Sequence, residues 1–203
     1  MRRDPGFSGR GQELHILRGC FCFSNFASFN KHWYVPIWVS CGILLTWLLG
    51  LTTAQFHPDG HLFAAGGTDG QIKLFDVKTG ANAADFKETG PIQALSFSEN
   101  GTWLAAAVKG SSSVSIWDLR KAAQIKTLDS GGSVAGIRWD YTGQFLASAG
   151  PSGLTVQHYS KATKEWSEPL RSAVAGVAVE WGPSAQKLVS VSEEGACTVL
   201  EAE

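Results

Sequence analysis

An aromatic residue followed a few positions later by glycine or a turn recurs along this chain at a nearly constant spacing. Ala54-Gln55-Phe56-His57-Pro58-Asp59-Gly60 is followed by Leu95-Ser96-Phe97-Ser98-Glu99-Asn100-Gly101. Ile137-Arg138-Trp139-Asp140-Tyr141-Thr142-Gly143 comes next, then Val179-Glu180-Trp181-Gly182-Pro183-Ser184. The aromatics stand at 56, 97, 139 and 181, so successive steps are 41, 42 and 42 residues. A period of roughly 40–45 residues that holds four short strands is the signature of a propeller blade. The expected fold is therefore all-β: a β-propeller of about four blades, the last lacking its outer strand.

Alternation and turn chemistry place the strands inside each unit. In the first, Leu51–Phe56 leads into the His57-Pro58-Asp59-Gly60 turn, where proline presets φ and glycine accepts a positive φ. Leu62–Gly66 is the second strand, Thr68-Asp69-Gly70 a turn, Gln71–Asp76 the third strand, and Asn82–Phe86 a weaker fourth. The second unit repeats this with Ile92–Phe97, Trp103–Val108, Ser113–Asp118 and Gln124–Leu128. The third runs Val134–Trp139, Phe145–Ala149, Leu154–Tyr159 and a poorly marked Trp166–Leu170. The units are expected at about 51–90, 91–132, 133–173 and 174–203, the last ending after a third strand, Ala196–Glu201.

Motifs for chemistry are weak. His57 and Asp59 sit in a turn with no nucleophile at a defined spacing, and the glycines at 66, 67 and 70 join two strands rather than opening a helix. Asn100-Gly101-Thr102 is a formal glycosylation acceptor, but Asn-Gly is also a favoured hairpin turn. Cys20-Phe21-Cys22 is too tightly spaced for a zinc knuckle, and Cys41 and Cys197 complete no framework, which fits a reducing compartment. A net charge of −1 gives no electrostatic footprint for a nucleic-acid backbone. No catalytic, cofactor or metal residue is expected. The residues singled out are the structural repeat positions Phe56, Asp69, Phe75, Asp76, Phe97, Trp117, Asp118, Trp139 and Trp181.

Ser115-Ile116-Trp117-Asp118 resembles the WD-repeat family, which is named for that dipeptide. Phe75-Asp76 is the matching position one unit earlier, and Asp69 matches the family's turn aspartate. Thr89-Gly90 and Gly131-Gly132 stand where the family has Gly-His, so the side-chain network that pins its blades is expected to be thinner here. Thr53–Gly60, Gly70–Asp76, Ser96–Gly101 and Val114–Lys121 together resemble the pre-mRNA-processing factor 19 family, over about residues 51–203 and more weakly after Ala149. That family orders a U-box, a coiled coil and a seven-bladed propeller. Only the propeller is matched here, as in a fragment.

The resemblance implies a protein-interaction and substrate-recruiting propeller of a ubiquitin-protein ligase acting in pre-mRNA splicing and in DNA repair. The implied partners are proteins of a spliceosome-associated complex and ubiquitination substrates, in the nucleus, with no direct nucleic acid. The U-box and the oligomerising coiled coil fall outside the match, so this chain itself is not expected to ligate ubiquitin. The alternative is a generic WD-repeat scaffold unrelated to splicing, membrane-tethered if residues 33–54 are a true transmembrane segment. Partner contacts are expected on loops such as Asp59-Gly60, Thr68-Asp69-Gly70 and Lys109–Ser112.

Residues 1–50 form an atypical apolar leader. Trp33 to Ala54 holds no charged residue and is long enough to span a bilayer, which would make the protein membrane-anchored. Against this, Leu51–Phe56 is needed as a strand, and Pro36 and Gly42 weaken a helix. The competing expectation is a segment of unspliced message, since Val39-Ser40 is what a common intron start would encode. Membrane association is not expected.

Overall fold

The computed structural model describes residues 50–183 and 185–201. These form four antiparallel sheets. β1 (Leu51–Phe56), β2 (Leu62–Gly67), β3 (Gln71–Asp76) and β4 (Asn82–Lys87) make the first, in the order β1-β2-β3-β4. β5 (Ile92–Phe97), β6 (Trp103–Val108), β7 (Ser113–Asp118) and β8 (Ala123–Asp129) make the second in the same sequential order. The third contains β9 (Gly136–Trp139), β10 (Phe145–Gly150), β11 (Gly153–Ser160), β12 (Glu165–Trp166) and β13 (Leu170–Ser172). β14 (Ala178–Trp181), β15 (Lys187–Val191) and β16 (Cys197–Glu201) form the fourth. Each first strand lies against the next sheet's first strand, β1 on β5, β5 on β9 and β9 on β14. That is the blade-by-blade packing of an all-β propeller.

Burial follows from having a sheet on either side. In β6, Leu104 to Val108 is buried continuously rather than alternately, because both faces of a middle strand meet a neighbour. Small residues suit it: Ala105, Ala106 and Ala107 let the sheets approach while Ile72, Ile92, Leu104 and Ile116 fill the gaps between them. The outer strands β4 and β8 are mostly exposed, each with one buried apolar anchor, Phe86 opposite Ile72 in β4 and Leu128 opposite Val114 in β8. The core is thus three clusters stacked along the series of sheets rather than one centre.

Two expectations need correction. The outer strand of the third unit is not one strand over Trp166–Leu170 but two pieces that pair with different parts of β11. Pro169 supplies no N–H to continue the ladder, and the gap is closed by the Ser167 amide donating to the His158 carbonyl at 2.8 Å. The first strand of that unit begins at Gly136 rather than Val134, whose amide donates to the Ser111 carbonyl of the preceding sheet. Among the described residues no helix is long and apolar enough to cross a membrane. Most of the apolar stretch Trp33–Ala54 lies outside the described residues; its last four belong to β1.

Neighbouring first strands form no backbone ladder with one another and are joined by side chains instead. Gln55 Oε1 accepts from the Phe97 amide at 3.0 Å, and Ser96 Oγ accepts from the Trp139 amide at 3.0 Å, 42 and 43 residues apart. In the third step the donor is the Trp181 indole, which reaches the Arg138 carbonyl at 3.0 Å, and Arg138 Nε pairs with Glu180 at 2.9 Å. Ser96→Ala leaves the Trp139 amide buried without this acceptor. The expected loss is about 1–3 kcal/mol, read as a lower denaturation midpoint at unchanged m-value.

Candidate interaction surface

The turns fall into two sets at opposite ends of the strands. The β1–β2, β5–β6, β9–β10 and β14–β15 turns share one face with the β3–β4 and β7–β8 turns. The β2–β3, β6–β7, β10–β11 and β15–β16 turns and the connectors between sheets share the other. Of the three loops singled out from the sequence, Thr68-Asp69-Gly70 and Lys109–Ser112 lie together on the second face. Asp59-Gly60 lies on the first. No surface collects all three.

The first face is stiffened by polar side chains at the turn after each first strand. Asp140 is almost fully buried and accepts from the amides of Thr142 (2.9 Å), Gln144 (2.9 Å) and Phe145 (2.7 Å) and from the Thr142 hydroxyl. Ser98 holds the equivalent place one unit earlier, its Oγ accepting from the Trp103 amide at 3.0 Å. His57 holds it in the first unit, with Nε2 2.9 Å from the Gly101 carbonyl of the next sheet. Between the second and third sheets the same face carries an aromatic cluster. Trp103 packs edge-on against Tyr159 at 4.6 Å, and Trp166 lies 5.7 Å from Trp139 and 5.4 Å from Tyr159. Tyr141 beside it is half exposed.

The second face is built of small residues. Ser130, Gly132, Ser133, Ser148, Gly150 and Ser152 line a small, shallow dent there. Its charged groups include Asp129 and Arg171, paired at 2.7 Å, with Lys109 and Glu193-Glu194 on neighbouring turns. Among the described residues no group of histidine, cysteine, aspartate or glutamate could hold a metal ion.

The repeat positions divide by depth. Phe97 and Trp139 are buried between sheets, whereas Phe56 at the same position of the first unit is 43 % exposed and packs on Phe63 at 4.9 Å. Trp181 is half-buried, 6.0 Å from Phe145. Phe75 is half-buried on β3, in register with Phe63. Asp69, Asp76 and Asp118 each cap a turn. Asp69 accepts from the Gln71 amide at 3.0 Å, Asp76 from the Thr79 amide at 2.7 Å, and Asp118 from the Arg120 and Lys121 amides at 2.9 and 3.0 Å.

Trp117 does more than fill space: its indole N–H donates to Glu88 Oε1 at 2.7 Å. Glu88 lies in the connector from the first sheet, so a carboxylate next to Thr89-Gly90 takes up a bond at the point where a thinner network was expected. Gln157 occupies the place of Trp117 in the third sheet, opposite Leu146 as Trp117 is opposite Leu104. It too ties back to the preceding sheet, donating to the Asp129 carbonyl at the end of β8 at 3.0 Å. Sequence reasoning missed Glu88, Gln157, Ser96 and Asp140. Only their fixed offsets from the periodic aromatics could have pointed to them.

Three turn carboxylates are acidified by the groups they accept from. The His61 amide, helped by His57, holds Asp59 below the usual carboxylate range. The Thr79 amide and hydroxyl do so for Asp76, and the Gly131 amide followed by Arg171 for Asp129. A depressed folded-state value stabilises above the unfolded value and is lost as pH falls through the folded one. The wild type is therefore expected to lose stability below about pH 4, and a D59N/D76N/D129N variant to lose less between pH 5 and pH 3. Equal losses in denaturation midpoint for both proteins would place the acid sensitivity elsewhere.

The family described as WD domain, G-beta repeat matches residues 47–76 and 83–118. Pre-mRNA-processing factor 19 of Oryza sativa subsp. japonica is 48 % identical over 39 % of this chain and 15 % of its own length. The protein of the same name from Schizosaccharomyces pombe is 31 % identical over 72 % of this chain and 30 % of its length. The small ribosomal subunit protein RACK1 of Caenorhabditis elegans is 36 % identical over 46 % of this chain and 33 % of its length. The chain thus spans less than a third of the length of either of these factor 19 relatives. A chain from a mitotic checkpoint complex superposes with a TM-score of 0.66 at 15 % identity, over 75 % of this chain and 49 % of that one, a likeness of fold alone. The region from β1 to β16 is an all-β propeller segment of about four blades, with WD repeats matched over residues 47–76 and 83–118, and it is similar to the WD-repeat region of pre-mRNA-processing factor 19.

Proposed function

We propose that the repeat region is a protein-interaction platform: the partner- and substrate-recruiting propeller of a ubiquitin-protein ligase that acts in pre-mRNA splicing. The observation that carries this reading is the similarity to pre-mRNA-processing factor 19 from plants, a fission yeast and a slime mould over the repeats. The two turn faces support it, because loops on a rigid sheet scaffold present side chains to partners without needing chemistry of their own. The reading places the protein in the nucleus, among proteins of a splicing complex, with a role in DNA repair as its furthest extension. Division into the units 51–90, 91–132, 133–173 and 174–203 belongs to the same proposal, with each unit contributing one turn set to each face.

The test is recovery of tagged full-length chain from nuclear extract. Splicing-complex proteins and spliceosomal RNA should be enriched over a control WD-repeat protein. Ubiquitination should depend on adding the U-box portion of a relative. A second reading rests on the similarity to the small ribosomal subunit protein RACK1: a WD-repeat scaffold unrelated to splicing. Co-sedimentation with small ribosomal subunits, without splicing proteins, would favour it.

A further inference from the structure

We propose that His57 is a proton-dependent latch between the first two sheets, closed when both ring nitrogens donate at once. Nε2 stands 2.9 Å from the carbonyl oxygen of Gly101, in the β5–β6 turn. Nδ1 stands 2.7 Å from Asp59 Oδ1, in its own turn. Both oxygens can only accept. A neutral imidazole carries one N–H and satisfies one of them, turning a lone pair towards the other; the imidazolium satisfies both. The Asp59 amide also lies 3.3 Å from Nδ1, a contact that a neutral ring would use as acceptor. The carboxylate is nearer and fully charged, so the doubly protonated ring is the better match.

The surroundings make the contact specific. The His57 side chain is 11 % exposed and meets Phe97 edge-on at 5.2 Å. Gly101 has a φ of +65°, and a Cβ there would fall 2.2 Å from Nε2, so the approach needs glycine. The titratable groups of its own turn are Asp59, in contact, and His61, whose amide donates to the same Asp59 oxygen at 2.7 Å. The facing β5–β6 turn carries Glu99, two residues before Gly101. Proton loss leaves the ring donating one bond instead of two, on top of the backbone bonds that His57 and Gly60 already make in the turn. The latch therefore loosens one edge of the first turn face when the ring gives up its second proton.

A pH series of NMR spectra on the full chain from pH 5.5 to 8 tests this. Both ring nitrogens of His57 should carry protons at the acid end. The Gly101 amide should titrate with the ring, and its protection from exchange, corrected for intrinsic rates, should fall about fivefold to tenfold towards pH 8. In D59N the new amide can donate to Nδ1, so a neutral ring keeps both contacts and the dependence should vanish. H57Q keeps a donor for the Gly101 carbonyl and cannot titrate. The proposal is overturned if Gly101 protection in the wild type is the same at both ends of the series. It is equally overturned if the dependence survives in either variant.

Discussion

Gly150→Ala is expected to cost about 3 kcal/mol or more, enough to lower the melting temperature of a domain this size by about 6–12 °C. Gly150 ends β10 where the connector from the second sheet passes over it. An added Cβ would lie 1.9 Å from the Ser133 carbonyl oxygen and 3.6 Å from the Val134 Cα, both backbone atoms that no side-chain rotation can clear. The connector is held on its far side by the Val134 amide on the Ser111 carbonyl, and its next residue, Ala135, donates to the Ala149 carbonyl at 2.8 Å. It cannot move away without breaking those bonds. Gly110→Ala provides the comparison. A Cβ there meets nothing within 4 Å, and its φ of +77° costs about 1–2 kcal/mol by itself. Thermal unfolding followed by circular dichroism should rank the two clearly. A Gly150→Ala protein as stable as Gly110→Ala would show that the connector can shift to admit a methyl group.

Trp139→Ala is expected to cost about 3–5 kcal/mol, because it removes the ring that joins the second and third sheets. Trp139 is 5 % exposed, with Trp103 and Trp166 packed on it at 6.0 and 5.7 Å. The indole N–H has no partner among the described residues, so its loss carries no hydrogen-bond cost. The contrast is with Trp117, whose N–H serves Glu88. Trp139→Phe should therefore be milder than Trp117→Phe, although both remove the same atoms: the second also leaves the Glu88 carboxylate without its donor. Chemical denaturation monitored in the far ultraviolet measures all three variants. A Trp139→Phe cost equal to that of Trp117→Phe would mean that packing alone sets both.

Local order was legible in the chain because its causes are local. Alternation in Gln71–Asp76 and Ser113–Asp118 marks the third strands of two sheets, and both are found at those bounds. Glycine at 60, 70, 101 and 143 marks turns that need a positive φ, and each adopts one. The 42-residue step carries the all-β propeller architecture, since no other packing repeats one four-stranded unit at that spacing. Legibility failed where a partner lay far along the sequence. Glu88 meets Trp117 across 29 residues and Ser96 meets the Trp139 amide across 43, and nothing in either segment alone says so. It also failed at Pro169, where a strand was expected to run through a residue that cannot donate.

The sequence by itself determined which residues form strands, where the chain turns, and that the units are equivalent. It did so through backbone preference and side-chain period, which each segment carries within itself. Only the tertiary structure decided what each equivalent position does. Phe56, Phe97 and Trp139 hold one place in the repeat, yet the first is 43 % exposed and the others 4 % and 5 %. Their burial is a property of the sheet packed alongside. His57, Ser98 and Asp140 likewise share a place, and become an inter-sheet bond, a turn cap and a buried carboxylate according to the donors and acceptors that packing brings within reach.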